Sequence, residues 1–360
     1  MLKKIFFLIF VISILFACQE KDQKKSTDSE NIAIPPQQIE YSNTLEDTDI
    51  IFACNQDYLP VLLKAIDESK YTIDIVHFQL NPDRVIYQIL DKLKDAEKRG
   101  VKIRILSESE LKDKTLKSYQ RINKTNIQYK LDTERRKTHC KMFIFDRTAV
   151  LLGSTNLSYQ SILNNNETNI YIKNSGLANY YTEYFNSLWR DSNKEPNLEN
   201  FKLTNAEPIV NRAYLPKVKE LITNSKKYIY IYMYGLRFDE SSDENPIKQL
   251  LDLLIEAHNR GADVKLITEL SDYNDLLNQF NNEVISYLTE NGIEVRYDPK
   301  DKITHSKLVI IDDKVLIGST NWGYGAMFMY NEANILLDIP KATNYFKDYF
   351  FKLWNLQIKQ

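Results

Sequence analysis

The chain has 360 residues, 43% of them hydrophobic, and a formal net charge of -2. That supplies enough apolar side chain for a sizeable core, and the length suggests two globular units. The near-neutral charge excludes a surface given over to bulk nucleic-acid binding while leaving local patches open.

Residues 1–18 read as a targeting segment outside the fold. Lys3 and Lys4 form a charged start, and the apolar run from Ile5 to Ala17 is too short for a comfortable membrane span. Leu15-Phe-Ala-Cys18 resembles a bacterial lipobox, which implies cleavage before Cys18 and acylation of its thiol. The several acyl chains of a lipoprotein hold it permanently where one would bind marginally. The expected location is therefore the cell envelope, exported and membrane-anchored on the periplasmic or surface side. Residues 19–47 carry Lys, Asp, Gln, Ser and the Pro35-Pro36 pair with almost no aromatics, and read as a disordered tether. Cys54 and Cys140 lie in apolar strand-like runs and are expected as buried free thiols, although export permits a disulfide.

Beyond the tether the sequence repeats itself. Tyr58-Leu-Pro60 and Tyr214-Leu-Pro216 each open a helix within the stretches Asn55 to Ala65 and Asn211 to Leu221. A β-like run follows each, Tyr71 to Val76 and Tyr228 to Tyr232, and then an amphipathic helix, about 83 to 99 and about 246 to 260. Gly100 and Gly261 stand where a helix ends in a left-handed residue. Next come a strand (Val101 to Ile105, Asp263 to Ile267), a further helix, a hairpin, a strand around Ile170 or Ile335, and an aromatic helix closing at Trp189 or Trp354. This order predicts an α/β class: two tandem α/β/α sandwich domains, 48–195 and 206–360, packed about a pseudo-twofold axis. The 23 tyrosines read as compositional bias without a functional message.

The hairpin carries the chemistry. Thr138-His-Cys-Lys-Met-Phe-Ile-Phe-Asp146 runs on to Gly153-Ser-Thr-Asn156, and Thr304-His-Ser-Lys-Leu-Val-Ile-Ile-Asp312 runs on to Gly318-Ser-Thr-Asn321. His and Lys two apart on a strand share a face, so each hairpin presents imidazole, ammonium, hydroxyl and amide together. Glu167 stands eleven residues after Asn156, and Glu332 eleven after Asn321. The first turn is one residue longer than the second, and spacing from Lys307 selects Asp312 over Asp313 as the counterpart of Asp146.

His-x-Lys-x4-Asp followed by Gly-Ser-x-Asn, present twice, closely resembles the paired HKD motifs of the phospholipase D superfamily over about residues 48 to 357. The resemblance implies an enzyme, a phosphodiesterase with no cofactor and no metal, working through a covalent phosphohistidine. It implies His139 as nucleophile and His305 as general acid, with Glu167 and Glu332 orienting the imidazoles. Asp146 and Asp312 are then structural, as their position at the far turn of each hairpin also suggests. Lys141, Lys307, Asn156 and Asn321 would hold the non-bridging oxygens, with Ser154 and Ser319 in support. Members cleave phosphatidyl lipids, exchange headgroups or cut nucleic acids.

The substrate expected is a phosphodiester, with phospholipid favoured because an anchor through Cys18 concentrates lipid at the site. The alternatives are a nuclease for single-stranded DNA or RNA and a cardiolipin-synthase-like phosphatidyl transferase; a non-catalytic phosphate-binding lipoprotein belongs to another class. No obligate protein partner is expected. Between Leu111 and Lys141 stand ten cations (Lys112, Lys114, Lys117, Arg121, Lys124, Lys130, Arg135, Arg136, Lys137, Lys141) against Asp113, Asp132 and Glu134. That stretch could track a phosphate backbone, dock on anionic headgroups, or be a solvated face. His258 is expected as a helix-end surface residue, and His77 as either packing or cleft lining.

Overall fold

The computed structural model describes residues 41–356 apart from 240 and 300. Cys18 and the targeting segment lie outside the described residues, as does the tether up to residue 40. Residues 41–47 belong to the folded body, a correction to the expected tether. Leu45 is buried in the core, its N–H donates to Asn205 Oδ1 (2.9 Å), and Tyr41 packs on Phe201.

The first repeat runs β1 (Ile50–Phe52), α1 (Tyr58–Glu68), β2 (Thr72–His77), α2 (Arg84–Lys98), β3 (Lys102–Ser107), α3 (Lys112–Tyr119), β4 (Gln128–Leu131), β5 (Lys141–Phe145), β6 (Ala149–Gly153), α4 (Tyr159–Leu163), β7 (Asn169–Lys173), α5 (Ser175–Arg190). The second runs β8 (Ala206–Val210), α6 (Tyr214–Asn224), β9 (Tyr228–Met233), α7 (Pro246–Asn259), β10 (Asp263–Thr268), α8 (Asp275–Glu290), β11 (Glu294–Tyr297), β12 (Lys307–Ile311), β13 (Lys314–Gly318), α9 (Tyr324–Phe328), β14 (Ala333–Leu337), α10 (Pro340–Trp354). Each forms a seven-stranded mixed sheet, and the orders match: β1-β7-β6-β5-β2-β3-β4 and β8-β14-β13-β12-β9-β10-β11. β2, β3 and β4 are parallel, and β5, β6, β7 and β1 extend the sheet antiparallel.

Local chemistry sets the ends of the amphipathic helices. Asp83 caps α2 by accepting from the N–H groups of Val85 and Ile86 (both 3.0 Å), and Asn245 caps α7 ahead of Pro246. Gly100 and Gly261, both at φ +96°, end these helices in the left-handed region. Strands β1, β4, β8 and β11, short and at or near the sheet edges, are elements that the periodicity did not reveal.

The core has three layers of apolar packing. One covers the outer face of the first sheet under α1 and α2, another the outer face of the second under α6 and α7. The third lies between the two sheets and is filled by α5 and α10. Those two helices account for the aromatic closing segments, because a helix between two sheets must be apolar on most of its circumference. Their tyrosines also correct the reading of tyrosine as mere bias. Tyr181 OH donates to the Asn334 carbonyl (2.6 Å), Tyr184 OH to Asn211 Oδ1 (2.8 Å), and Tyr349 OH to Asn55 Oδ1 (3.0 Å), each reaching into the other repeat.

Candidate active site

Each hairpin delivers its motif to the seam between the repeats. β5 pairs with β2 and β6, and β12 with β9 and β13, so the residues ahead of Lys141 and Lys307 emerge together at one end of the sheets. Backbone bonds lock the seam reciprocally: His139 N–H donates to the Asn331 carbonyl and His305 N–H to the Asn166 carbonyl, both 2.9 Å. Such reciprocal contacts are what a pseudo-twofold produces. Gly153 and Gly318 are required where strands touch, since a Cβ there would lie 2.3 Å from the Thr168 carbonyl and from Asn334 Oδ1 respectively.

The imidazole pairs cross between repeats. His139 Nδ1 contacts Glu332 Oε1 at 2.9 Å, and His305 Nδ1 contacts Glu167 Oε2 at 3.1 Å. With Nδ1–H donated to a carboxylate, each ring keeps Nε2 for chemistry. The glutamates are themselves held. Asn55 and Asn211, both in the left-handed region at φ 53° and 48°, accept the Glu167 and Glu332 N–H groups at 2.8 Å through Oδ1. Ser154 Oγ donates to Glu167 Oε2 (2.6 Å) and Ser319 Oγ to Glu332 Oε2.

Lys141 and Lys307 are 2% exposed. Their Nζ atoms donate to the carbonyls of His139 and His305 (2.5 and 2.6 Å) and stand 5.0 Å over the rings of Phe78 and Tyr234. The same two rings pack edge-on against His139 (5.0 Å) and His305 (4.9 Å). Asn156 and Asn321 follow β6 and β13, and neither side-chain amide is committed to a hydrogen bond among the described residues; the oxygen of each is buried without a partner.

Burial, reinforced by Lys141 and Lys307, drives the His139 pKa well below its ordinary value, and burial also lowers His305 against the pull of Glu167. Burial brings Lys141 down to about 8 and Lys307 to about 7. Glu332 is pushed up by burial to about 8, opposed by Lys141 and Ser319. Burial works against Glu167 too, but His305, Lys307 and Ser154 outweigh it and hold its carboxyl at about 2.

Behind each motif lies a pair of buried carboxyls. The Thr138 N–H donates to both Glu108 Oε2 and Asp132 Oδ2. In the second repeat the Thr304 N–H donates to Glu269 Oε2 (2.6 Å) and its hydroxyl to Asp298. Burial and the neighbouring carboxyl push Glu108 up to about 7, and Asp298 is raised to about 9. Burial takes Glu269 to about 7. Two carboxyls buried side by side disfavour each other's ionised form.

The remaining expected residues fall elsewhere. Asp146 and Asp312 sit at the far turns, where each carboxylate accepts three backbone N–H groups: Lys70, Tyr71 and Thr72, and Lys226, Lys227 and Tyr228. Cys140 and Cys54 are buried and form no disulfide among the described residues. His77 is buried opposite Lys141 with its ring against Phe143 and, among the described residues, no hydrogen-bond partner on either nitrogen. His258 is half-buried at the end of α7. Of the basic stretch, Arg121, Arg136 and Lys137 are paired with Asp91, Glu195 and Glu110, while Lys112, Lys114, Lys117 and Lys124 are exposed.

Sequence reasoning did not find Phe78, Tyr234, Asn55, Asn211 or the carboxyl pairs as site residues. A signal existed for the last: Glu108 and Glu269 each follow the strand after the repeat glycine, and Asp132 and Asp298 each precede a motif Thr by six residues.

The chain matches the family described as cardiolipin synthase, PLD-like domain, over residues 62–189 and again over 218–354. It is 33% identical over 106 residues to the mitochondrial cardiolipin hydrolase of Chlamydomonas reinhardtii, covering 29% of this chain and 45% of that protein. It is 23% identical over 299 residues to cardiolipin synthase 1 of Bacillus anthracis, covering 72% of this chain and 57% of that protein. The matches thus span about half the length of these relatives. The crystal structure of phosphatidylserine synthase from Haemophilus influenzae Rd KW20 superposes with a TM-score of 0.71 at 14% identity, over 88% of each chain, a likeness of fold.

Proposed function

From the premise that this chain belongs to the cardiolipin synthase, PLD-like domain family of the phospholipase D superfamily, we propose that it is a metal-independent phosphodiesterase acting on phosphatidyl groups. The observation that carries the reading is the crossed pair of imidazole–carboxylate contacts flanked by two buried lysines.

In the first step His139 Nε2 attacks phosphorus, the bond to the departing oxygen breaks, and His305 as imidazolium gives that oxygen its proton. In the second, neutral His305 takes a proton from water or an acceptor alcohol, whose oxygen attacks phosphorus. The P–N bond breaks and its electrons return to His139. Lys141, Lys307, Asn156 and Asn321 meet the non-bridging oxygens, where fixed donors already desolvated lower the barrier. Glu167 and Glu332 hold the ring tautomers, and Asp146 and Asp312 brace the hairpins. The names of the relatives, a cardiolipin hydrolase and a cardiolipin synthase, favour phospholipid as substrate and leave water and an alcohol as rival acceptors.

The test is a parallel assay of phosphatidylglycerol, phosphatidylcholine, cardiolipin and single-stranded DNA and RNA in excess chelator, with and without added glycerol, with His139→Ala as blank. Phosphatidic acid or a new phosphatidyl alcohol formed only by the active protein supports the reading. Cleavage of nucleic acid with inert lipid would replace it by the nuclease reading, for which the exposed Lys112, Lys114, Lys117 and Lys124 are the natural track. Dependence on an added divalent cation would remove the metal-free mechanism. We further propose that acylated Cys18 attaches the mature protein to a membrane; Cys18→Ala fractionating with membranes like the wild type would dispose of that.

A further inference from the structure

The crossed pairs are related by the pseudo-twofold, yet the two carboxylates receive different numbers of hydrogen bonds. Among the described residues, the Glu332 carboxylate has one donor besides His139, the Ser319 hydroxyl. Glu167 has three besides His305: the Ser154 hydroxyl, the Ser161 hydroxyl and Asn165 Nδ2 (3.2 Å). The direction of these bonds is determined. Ser161 Oγ already accepts the Asn156 N–H (2.9 Å), and Ser154 Oγ the Thr168 N–H (2.9 Å), so both hydroxyl protons go to the carboxylate. At the equivalent positions of the second repeat, five and nine residues after Asn321, stand Ala326 and Tyr330. Alanine has no donor, and the Tyr330 ring lies instead 6.3 Å from His139 and beneath Lys137.

Apart from His305 itself, whose protonated ring does most to lower Glu167, cations do not produce the difference. Lys141 and Lys307 act on both carboxylates, and Arg212 adds its charge on the Glu332 side alone, which works against the asymmetry. The other titratable neighbours are neutral hydrogen-bonding or apolar groups: Cys54, Tyr58 and Tyr349 around Glu167, Cys140, Tyr184 and Tyr214 around Glu332. Hydrogen-bond donors favour the ionised form of a buried carboxyl. With three such donors against one, Glu167 is held as the anion more firmly than Glu332, and a buried anion stabilises the imidazolium above it.

We propose that Ser161 and Asn165 are positioning residues that break the pseudo-twofold, keeping the proton on His305 and leaving His139 neutral as the attacking ring. The proton placement stands on the geometry alone; its consequence for which ring attacks rests on the phosphodiesterase reading. In a chain whose two repeats match at the histidines, lysines and asparagines of the motifs, the roles of acid and nucleophile are then set by two side chains that touch neither phosphate nor imidazole.

The experiment compares wild type with Ser161→Ala/Asn165→Ala and with Ser161→Thr, by two readouts. NMR titration of the imidazoles in the resting protein should show the His305 pKa falling by about one unit in the double variant, with His139 unmoved, and Ser161→Thr titrating like wild type because it keeps the hydroxyl. Trapping the covalent intermediate should place phosphate on His139 in wild type and shift a measurable fraction to His305 in the double variant. An unchanged His305 titration overturns the inference, and so does a wild-type label on His305. If wild type forms no phosphohistidine, the reaction proposed above fails, while the titration still decides the placement of the proton.

Discussion

Set side by side, the two repeats agree wherever a group would face phosphate and disagree around the carboxylates that steer the histidines. His139 and His305, Lys141 and Lys307, Asn156 and Asn321, Asp146 and Asp312 occupy equivalent places. Ser161 faces Ala326, Asn165 faces Tyr330, Phe78 faces Tyr234 and His77 faces Met233. A symmetric phosphate clamp suits a group that is itself nearly symmetric, whereas a two-step reaction needs one ring protonated and the other bare. On the proposed mechanism the repeated residues would form the clamp, and the differences one layer out would set the direction of proton flow.

The comparison is broken most severely at the imidazoles. His139→Ala and His305→Ala should each lower turnover by about 10³-fold or more, and the double variant should be scarcely worse than either, because the two act in sequence on one phosphate. Strictly multiplicative losses would show two independent sites.

A smaller and unequal loss is expected one layer out. Glu167→Gln removes the anion that supports the His305 imidazolium and should cost about 10- to 100-fold in kcat. Glu332→Gln keeps a carbonyl for the His139 Nδ1–H, while the Ser319 hydroxyl, which donates to the carboxylate, must turn its proton to the Ala333 carbonyl (3.4 Å); the change should cost no more than about threefold. Equal losses at the two positions, measured on one diester, would contradict the division of roles.

At the far turns the repeats should behave alike. Asp146→Ala and Asp312→Ala each strip an acceptor from three backbone N–H groups. Each should destabilise by about 1–3 kcal/mol while leaving kcat of the folded fraction unchanged, as read from denaturant titration beside kinetics.

The smallest effect concerns the buried glutamates behind the motifs. Glu108 and Glu269, raised by burial from 4.5 to about 7, hold protons in the folded state that the unfolded chain releases at lower pH. Their stabilising contribution is therefore complete below the unfolded value, declines as pH rises through the folded one, and is lost above about 7. Glu108→Gln and Glu269→Gln carry a permanent amide in place of the proton. Relative to wild type, their melting temperatures should gain a few degrees between mildly acidic and alkaline buffer. A difference from wild type that stays flat with pH would show that the pairs hold no proton.

Much of the site was legible before the fold. The hairpins, their shared face, the glycines closing α2 and α7 and the structural place of the motif aspartates follow from local periodicity, turn chemistry and repetition, which act over a few residues. The two-domain α/β organisation followed from the order of elements in the duplicated halves. The contacts that the sequence did not reveal join segments far apart in the chain. Glu167 meets the histidine of the other repeat, Tyr184 and Tyr349 reach across the seam, α5 and α10 fill the space between two sheets, and Thr138 bridges Glu108 and Asp132. A spacing of 138 residues between Glu167 and His305 carries no local signal of contact. The position of a proton, likewise, depends on burial and on the number of donors converging on one carboxylate, quantities that exist only once the chain has folded.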